Sequence, residues 1–241
     1  MNEKHEINYY KAVPVLVVGE SGTGKSTMIR TLPPKKTVIL NTEIKAMPFK
    51  NHDDFKVVDI NTYKTLDAAL RYYLSDKGDK FDYLVLDSFT SMTEIIDKYT
   101  SAVYQGYDQW KNYNLLIYDM MNRMKQLKQQ VFVMGIPEQK DEGFNEIKKY
   151  IRIKGKELKY GDIEKEFTIV LYTNPIYDED TGEMENVEML FKPDKRNTAK
   201  APMGMFNNRP KNSALEVSNI INNFYIEERT NNEEKLEKGN K

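Results

Sequence analysis

The chain has 241 residues, 39% of them hydrophobic, and 36 Lys+Arg against 37 Asp+Glu give a formal net charge of −1. That is enough apolar material for a core, with no global charge to draw the chain to nucleic acid or a membrane surface. It has no cysteine and two histidines, His5 and His52, which excludes a disulfide scaffold, a thiolate metal site and a cysteine nucleophile, and leaves too little for a histidine zinc site or a Ser-His-Asp triad.

In chain order, Val13 to Val18 (VPVLVV) is continuously apolar, the pattern of a strand covered on both faces. Directly after it, Gly19-Glu20-Ser21-Gly22-Thr23-Gly24-Lys25-Ser26 fits G-x-x-x-x-G-K-[ST] in full. Glycines at these places let the backbone wrap so that successive N–H groups point at phosphate oxygens. Lys25 would reach the β- and γ-phosphates, and the Ser26 hydroxyl would ligate Mg²⁺. Thr27 is expected to open a helix whose N-terminus faces the anion.

Further apolar runs follow at Thr37 to Leu40, Lys56 to Ile60, Tyr83 to Leu86 and Val131 to Ile136. Glu43 follows the first of these, Thr37 to Leu40, where a carboxylate can polarise a water against the γ-phosphate or stand as a plain surface residue. A phosphate loop also needs a carboxylate at the end of a neighbouring strand to hold the magnesium shell. FDYLVLDSFTS supplies Asp87, followed by Ser88, whereas Asp82 precedes the strand and Asp97 falls within a helix. Between the strands, Leu66, Ala69, Leu70, Tyr73 and Leu74 share one helical face, as do Trp110, Tyr113, Ile117, Met120, Met121, Met124 and Leu127. The methionines of the second set, with Met134, read as core filler. Strands alternating with helices imply a parallel sheet covered by helices.

Past residue 136 the texture changes. Lys148 to Tyr160 alternates basic and apolar residues around Gly155, as in a hairpin or loop. Lys148, Lys149, Arg152, Lys154, Lys156 and Lys159 stand against the single acid Glu157, with Tyr150 and Tyr160 interleaved. Such cations would track a phosphate backbone while the rings stack on unpaired bases. The same alternation also fits a solvated hairpin with Ile151 and Ile153 inward. Phe167 to Thr173 and Val187 to Phe191 flank the turn DEDTGE, suggesting an antiparallel pair at the sheet edge. A second basic cluster, Lys192, Lys195, Arg196 and Lys200, comes next. Ser213 and Glu216 then form a capping box for a final helix with Leu215, Val217, Ile220, Ile221 and Phe224 inward. Residues 1–226 are expected to form one α/β domain, and 227–241 a charged, disordered tail.

The phosphate loop, Asn41-Thr42-Glu43 and Asp87-Ser88 together resemble the RecA/recombinase-like ATPases. In that family the strand after the phosphate-loop helix ends in D-T-E or D-A-E, whose Glu is the catalytic base, and the magnesium strand ends in D-S. Asn41 departs from this pattern. Residues 13 to about 206, closing with KGKELKYGDIEKEFTIVLYT and KRNTAKAPMGMF, are further similar to short phage-encoded ATPases with a bare RecA-like core, associated with recombination and single-strand annealing. The resemblance implies a P-loop NTPase fold: a RecA-like, mainly parallel twisted sheet with helices on both faces and antiparallel edge strands. It implies a Mg²⁺-dependent ATP hydrolase that binds single-stranded DNA in phage recombination, annealing or replication.

For the site, the resemblance implies Lys25 and Glu43 as catalytic, with Gln139 as a γ-phosphate sensor and Glu138 its alternative, although Gly135-Ile136 replace the family's usual polar residue at that strand end. It places DNA-binding loops at 148–160. It also implies a homo-oligomer in which a neighbour's Lys195, Arg196 or Lys200 reaches the γ-phosphate. A phage single-strand-binding or replication protein is a further candidate partner. With no run approaching the ~20 residues of a membrane span and no signal-peptide core in MNEKHEINYY, the expected location is the cytoplasm, that of the bacterial host if the chain is phage-encoded.

Other phosphate-loop families lack their marks. No D-x-x-G follows Asp87 and no N/T-K-x-D is present, against a GTPase; no LSGGQ-like run is present, against an ABC ATPase. Typical AAA+ proteins and helicases carry D-E at the magnesium strand where this chain has Asp87-Ser88. An ATP-dependent loader or packaging adaptor with a protein partner stays open, as does a small-molecule phosphotransferase, for which an arginine-rich lid is missing.

Overall fold

The computed structural model describes residues 13–143, 146–154 and 163–225. The strands are β1 (Val15–Val18), β2 (Thr37–Asn41), β3 (Lys56–Asp59), β4 (Tyr83–Asp87), β5 (Gln130–Gly135), β6 (Pro137–Asp141), β7 (Ile147–Ile151), β8 (Ile169–Tyr177) and β9 (Met184–Leu190). Seven of them form one sheet in the order β3-β2-β4-β5-β1-β8-β9, parallel throughout except for β9, which runs antiparallel to β8. Strands β6 and β7 form a separate antiparallel hairpin. The expected fold class is the one observed.

The continuous apolar runs make sense once the sheet is assembled. Alternate residues of one strand point to opposite faces, and here both faces are covered. Leu16, Val38, Leu84 and Val131 pack on the side of α2 (Tyr63–Leu74), α3 (Phe89–Val103) and α4 (Tyr107–Lys125). Val15, Ile39, Val85 and Phe132 pack on the other side, with Met28 of α1 (Lys25–Met28) and with Val217 and Ile221 of a final helix, α5, spanning 214–225. The methionines divide accordingly: Met120, Met121 and Met124 belong to the first face, Met134 to the second.

Several boundaries move. Helix α1 begins at Lys25 rather than Thr27 and runs for a single turn. Residues 147–151 of the basic run belong to a hairpin whose strands pair Pro137 with Ile151 and Asp141 with Ile147, with its turn near Gly143. Gly155, Lys156, Glu157, Lys159 and Tyr160, like His5 and the tail 227–241, lie outside the described residues. Of Phe167 to Thr173, residues 169–173 lie in β8, which runs parallel to β1; only Tyr172 and Thr173 of them pair with β9, which is the outer antiparallel strand as expected. At α5 half of the capping box is present. The Ser213 hydroxyl accepts the Glu216 N–H at 3.1 Å, while the Glu216 carboxylate accepts from the Lys211 N–H at 3.4 Å instead of reaching back to Ser213.

The register fixes what matters for function. Asn41 stands beside Asp87, and Val18 beside Gly135, so the carboxyl ends of β1, β2, β4 and β5 form one crest. Open parallel sheets bind ligands at such a crest, where loops leave the strands and helices begin.

Candidate functional site

The phosphate loop leaves β1 at Val18 and is braced from two sides by residues the motif does not contain. The Thr23 and Thr173 hydroxyls are 2.8 Å apart. A Cβ on Gly19 would lie 2.0 Å from the Thr173 hydroxyl, so the first glycine is required by close approach to β8. Gly24 has φ +85° and caps α1, a conformation L side chains rarely adopt, and its carbonyl accepts from the Asn212 amide at 3.1 Å. Thr173 and Asn212 come from chain segments some 150 or more residues away, beyond the reach of any local pattern.

Inside the loop the Lys25 ammonium donates to the Gly19 and Glu20 carbonyls, both at 2.7 Å. Burial holds its pKa below the ordinary lysine value, opposed by the nearby Asp87, Glu43 and Glu20 carboxylates. The Ser26 hydroxyl donates to the Asp87 carboxylate at 2.7 Å. Burial pushes the Asp87 carboxyl above its ordinary range, the Ser26 hydrogen bond opposes this, and the Glu43 charge adds to it. Ser26, Asp87, Lys25 and Glu43 all line one cleft of about 390 Å³, together with Ser21, Gly22, Gly24 and Thr27.

Glu43 reaches this cleft from β2 through a dense polar joint. Thr42 donates its hydroxyl to the Ser88 carbonyl and accepts the Ser88 N–H, both at 2.7 Å, so the ends of β2 and β4 are locked together. The Ser88 hydroxyl donates to Glu43 Oε1 at 2.9 Å, and Lys45 pairs with Glu43 Oε2 at 3.0 Å. Ser88 also caps α3, its side chain accepting the Ser91 N–H. Sequence reading found Asp87 and Glu43 but assigned no part to Thr42 or Lys45; the signal available was the Asn41–Asp87 pairing that a parallel sheet imposes.

Mg²⁺ is the ion that a phosphate-loop site implies. The donors that converge here, the Ser26 hydroxyl and the Asp87 carboxylate, are hard oxygens suited to it. Among the described residues no group of three or more His, Asp or Glu could hold a metal by itself. Two protein donors fit an ion that takes its remaining ligands from substrate phosphates and water.

The other expected residues fall elsewhere. Gln139 lies on β6 opposite Lys149, not in the cleft; the strand-end residue that lines the cleft is Ile136. Gln139 faces a second hollow of about 420 Å³ with Glu146, Lys149, Lys195 and Arg196. Lys195 is exposed and pairs with Glu146 at 2.9 Å. Lys200 is separate from both Lys195 and Arg196. Its backbone bridges to Val170, and partial burial lowers its ammonium pKa against the pull of Glu164 and Glu166. Pleating also divides the basic run. Lys140, Lys148 and Tyr150 share one face, with both ammonium groups about 6 Å from the Tyr150 ring centre. Lys149 faces the other way and pairs with Glu20 of the phosphate loop at 3.1 Å. Arg152 and Lys154 are exposed beyond the hairpin.

Comparison with known proteins decides the family. The AAA domain family matches residues 11–203. The chain belongs to the AAA domain family. It has the P-loop NTPase fold of that family, with the phosphate loop at the crest of a mainly parallel sheet. A solved KaiC-like protein from the archaeon Pyrococcus horikoshii OT3 is similar over 75% of this chain and 78% of its own, at 17% identity and a TM-score of 0.45. No curated protein matches. Membership stands with Ser88 where typical AAA+ proteins carry a second acid: in this AAA domain the acid beside Asp87 is Glu43, delivered from β2 and held by Ser88. Among the described residues no helix is long and apolar enough to cross a membrane.

Proposed function

We propose that the protein hydrolyses ATP with Mg²⁺, binds single-stranded DNA, and acts in phage DNA recombination, annealing or replication. The observation that carries the hydrolytic part is the convergence of Ser26, Asp87 and Glu43 at one crest, with Glu43 held by Ser88 and Lys45. The phosphate-loop N–H groups and Lys25 would hold the β- and γ-phosphates. Ser26 and Asp87 would hold Mg²⁺, which when bound supplies charge neutralisation on the phosphate oxygens. Glu43 would orient a water in line with the γ-phosphate and accept its proton, with the Ser88 hydroxyl and the Lys45 ammonium each holding one of its carboxylate oxygens in place.

For DNA, the support is one half-buried face of the β6–β7 hairpin, where Lys140 and Lys148 flank Tyr150 and Glu142 holds Lys140 and the Tyr150 hydroxyl. This joins cations to an aromatic ring, the pairing that single strands favour. Its link to chemistry is the Lys149–Glu20 ion pair between hairpin and phosphate loop. Through that pair, occupancy of the loop would alter the hairpin. Lys195 and Arg196, grouped around the same hollow as Lys149, would serve a neighbouring subunit's nucleotide in a homo-oligomer; the inward Lys200 is the weakest of the three.

The test is phosphate release from ATP with and without single-stranded DNA, Lys25→Ala serving as blank. Stimulation by single strands supports the reading. Hydrolysis indifferent to DNA transfers it to a loader or packaging adaptor with a protein partner, and a phosphorylated small-molecule product would make the protein a phosphotransferase.

A further inference from the structure

The departure at residue 41 has a geometric basis. Asn41 is 3% exposed, at the last position of β2, and its amide makes three hydrogen bonds. Its Nδ2 donates to the Lys45 carbonyl at 3.0 Å and to the Asp59 carboxylate at 2.9 Å; its Oδ1 accepts the Ile44 N–H at 3.0 Å. The amide orientation is dictated by these partners, because turning it over would set oxygen against two acceptors and nitrogen against a donor. The loop that Asn41 ties down, Thr42 to Lys45, presents Glu43 to the cleft. That loop contains Ile44, whose φ of +53° is the one left-handed non-glycine conformation among the described residues. A β-branched residue holds that conformation only when its surroundings impose it, and here the Asn41 oxygen bonds its N–H directly.

We infer that Asn41 and Asp59 form a clamp that positions Glu43 for hydrolysis, so that residue 41 must be an amide while Asp59 stands at the end of β3. This rests on the reading of Glu43 as the base. An aspartate at position 41 would keep the Ile44 contact but turn a second carboxylate oxygen toward the Lys45 carbonyl and Asp59. The loop would then leave its left-handed turn and carry Glu43 away from the water it orients. Asn41 is a positioning residue acting through the loop, and binding of phosphates by Lys25 and Ser26 does not depend on it.

Steady-state ATP hydrolysis of Asn41→Asp, Asp59→Asn, the double variant and Asp59→Ala tests the clamp. Asn41→Asp should lower kcat about tenfold or more with KM for ATP within about twofold, since small misplacements of a reacting group cost turnover and not uniform binding. Asp59→Asn alone should turn over within about twofold of wild type, because an amide oxygen can still accept from Asn41. The double variant should regain most of the loss, because the amide introduced on β3 can donate to the carboxylate introduced on β2. Such reciprocal recovery is a coupling that a merely destabilised fold does not produce. Should Asn41→Asp fail to fold, Asp59→Ala, made at an exposed position, carries the test with an expected loss of about threefold in kcat at unchanged KM. Wild-type kcat in Asn41→Asp or in Asp59→Ala, a change confined to KM, or no recovery in the double variant overturns the clamp. Glu43→Gln measured alongside separates the two failures. If it is slow while the clamp variants are normal, the clamp alone falls. If it turns over at the wild-type rate, the base is misassigned and the inference falls with it.

Discussion

The crest of the sheet and the β6–β7 hairpin are both rich in charge, but they hold it in different ways. At the crest, Lys25, Asp87 and Asn41 are buried and their partners are strand ends or loop carbonyls fixed by the sheet. On the hairpin, Lys140, Lys148 and Tyr150 stand on a two-stranded ribbon outside the main sheet. The ribbon is tied to the body along β7, where the Lys149 N–H donates to the Arg196 carbonyl at 2.8 Å and the Tyr172 hydroxyl to the Lys149 carbonyl at 3.1 Å, and at its base. Arg152 donates its N–H to the Ile136 carbonyl at 2.7 Å, Thr90 of α3 donates to the Arg152 carbonyl at 3.1 Å, and the buried Glu164 carboxylate accepts the Ile151 N–H at 2.6 Å. The crest is preorganised for one chemistry, because desolvated groups act strongly only when their geometry is fixed. On the proposed function the hairpin would meet an extended polyanion, where placement tolerates movement.

If that contrast is right, substitutions at the crest should abolish turnover and those on the hairpin should grade it. Lys25→Ala should have the largest effect, with loss of nucleotide binding and turnover reduced by on the order of 100-fold or more, read as phosphate release and nucleotide fluorescence titration. Glu43→Gln should bind ATP normally and lose about 100-fold in kcat, the signature of a base and not of a binding group. Joint reversal of Lys140 and Lys148 to Glu should weaken single-strand binding by about tenfold at low salt and flatten its salt dependence, with DNA-free hydrolysis unchanged. Unchanged affinity would return that face to a solvated hairpin. Lys149→Ala, which removes a half-exposed ion pair worth at most about 1 kcal/mol, should shift the DNA stimulation of turnover by only about twofold to threefold.

The smallest effect concerns stability at the joint between the two regions. Burial pushes the Glu164 carboxyl above its ordinary range, and its second oxygen has no hydrogen-bond partner within the protein. An acid whose pKa is raised on folding contributes stability below its unfolded pKa and loses that contribution as pH rises through the folded one. Glu164→Gln should therefore match wild type in Tm near pH 4 and exceed it increasingly toward pH 8. A gap that narrows with rising pH would mean that Lys200, Thr198 and the Ile151 N–H over-compensate the charge.

The phosphate loop, the Asp87 and Glu43 candidates and the alternation of strands and helices are legible in the sequence, because each is a local pattern: a spacing of glycines, a carboxylate closing an apolar run, a period of two or of 3.6. The sequence also exposed Asn41 as a departure without giving its reason, since Asp59 lies on the next strand and becomes a neighbour only through parallel pairing. Tertiary structure alone decided that Thr173 and Asn212 brace the loop, that Ser88 holds Glu43, and that Gln139 sits away from the cleft. It likewise split Lys148 from Lys149, setting one beside the Tyr150 ring and the other against the phosphate loop. A run of lysines records charge but not direction; direction came from where β6 and β7 pair, and that register is a property of the assembled hairpin and not of any one segment.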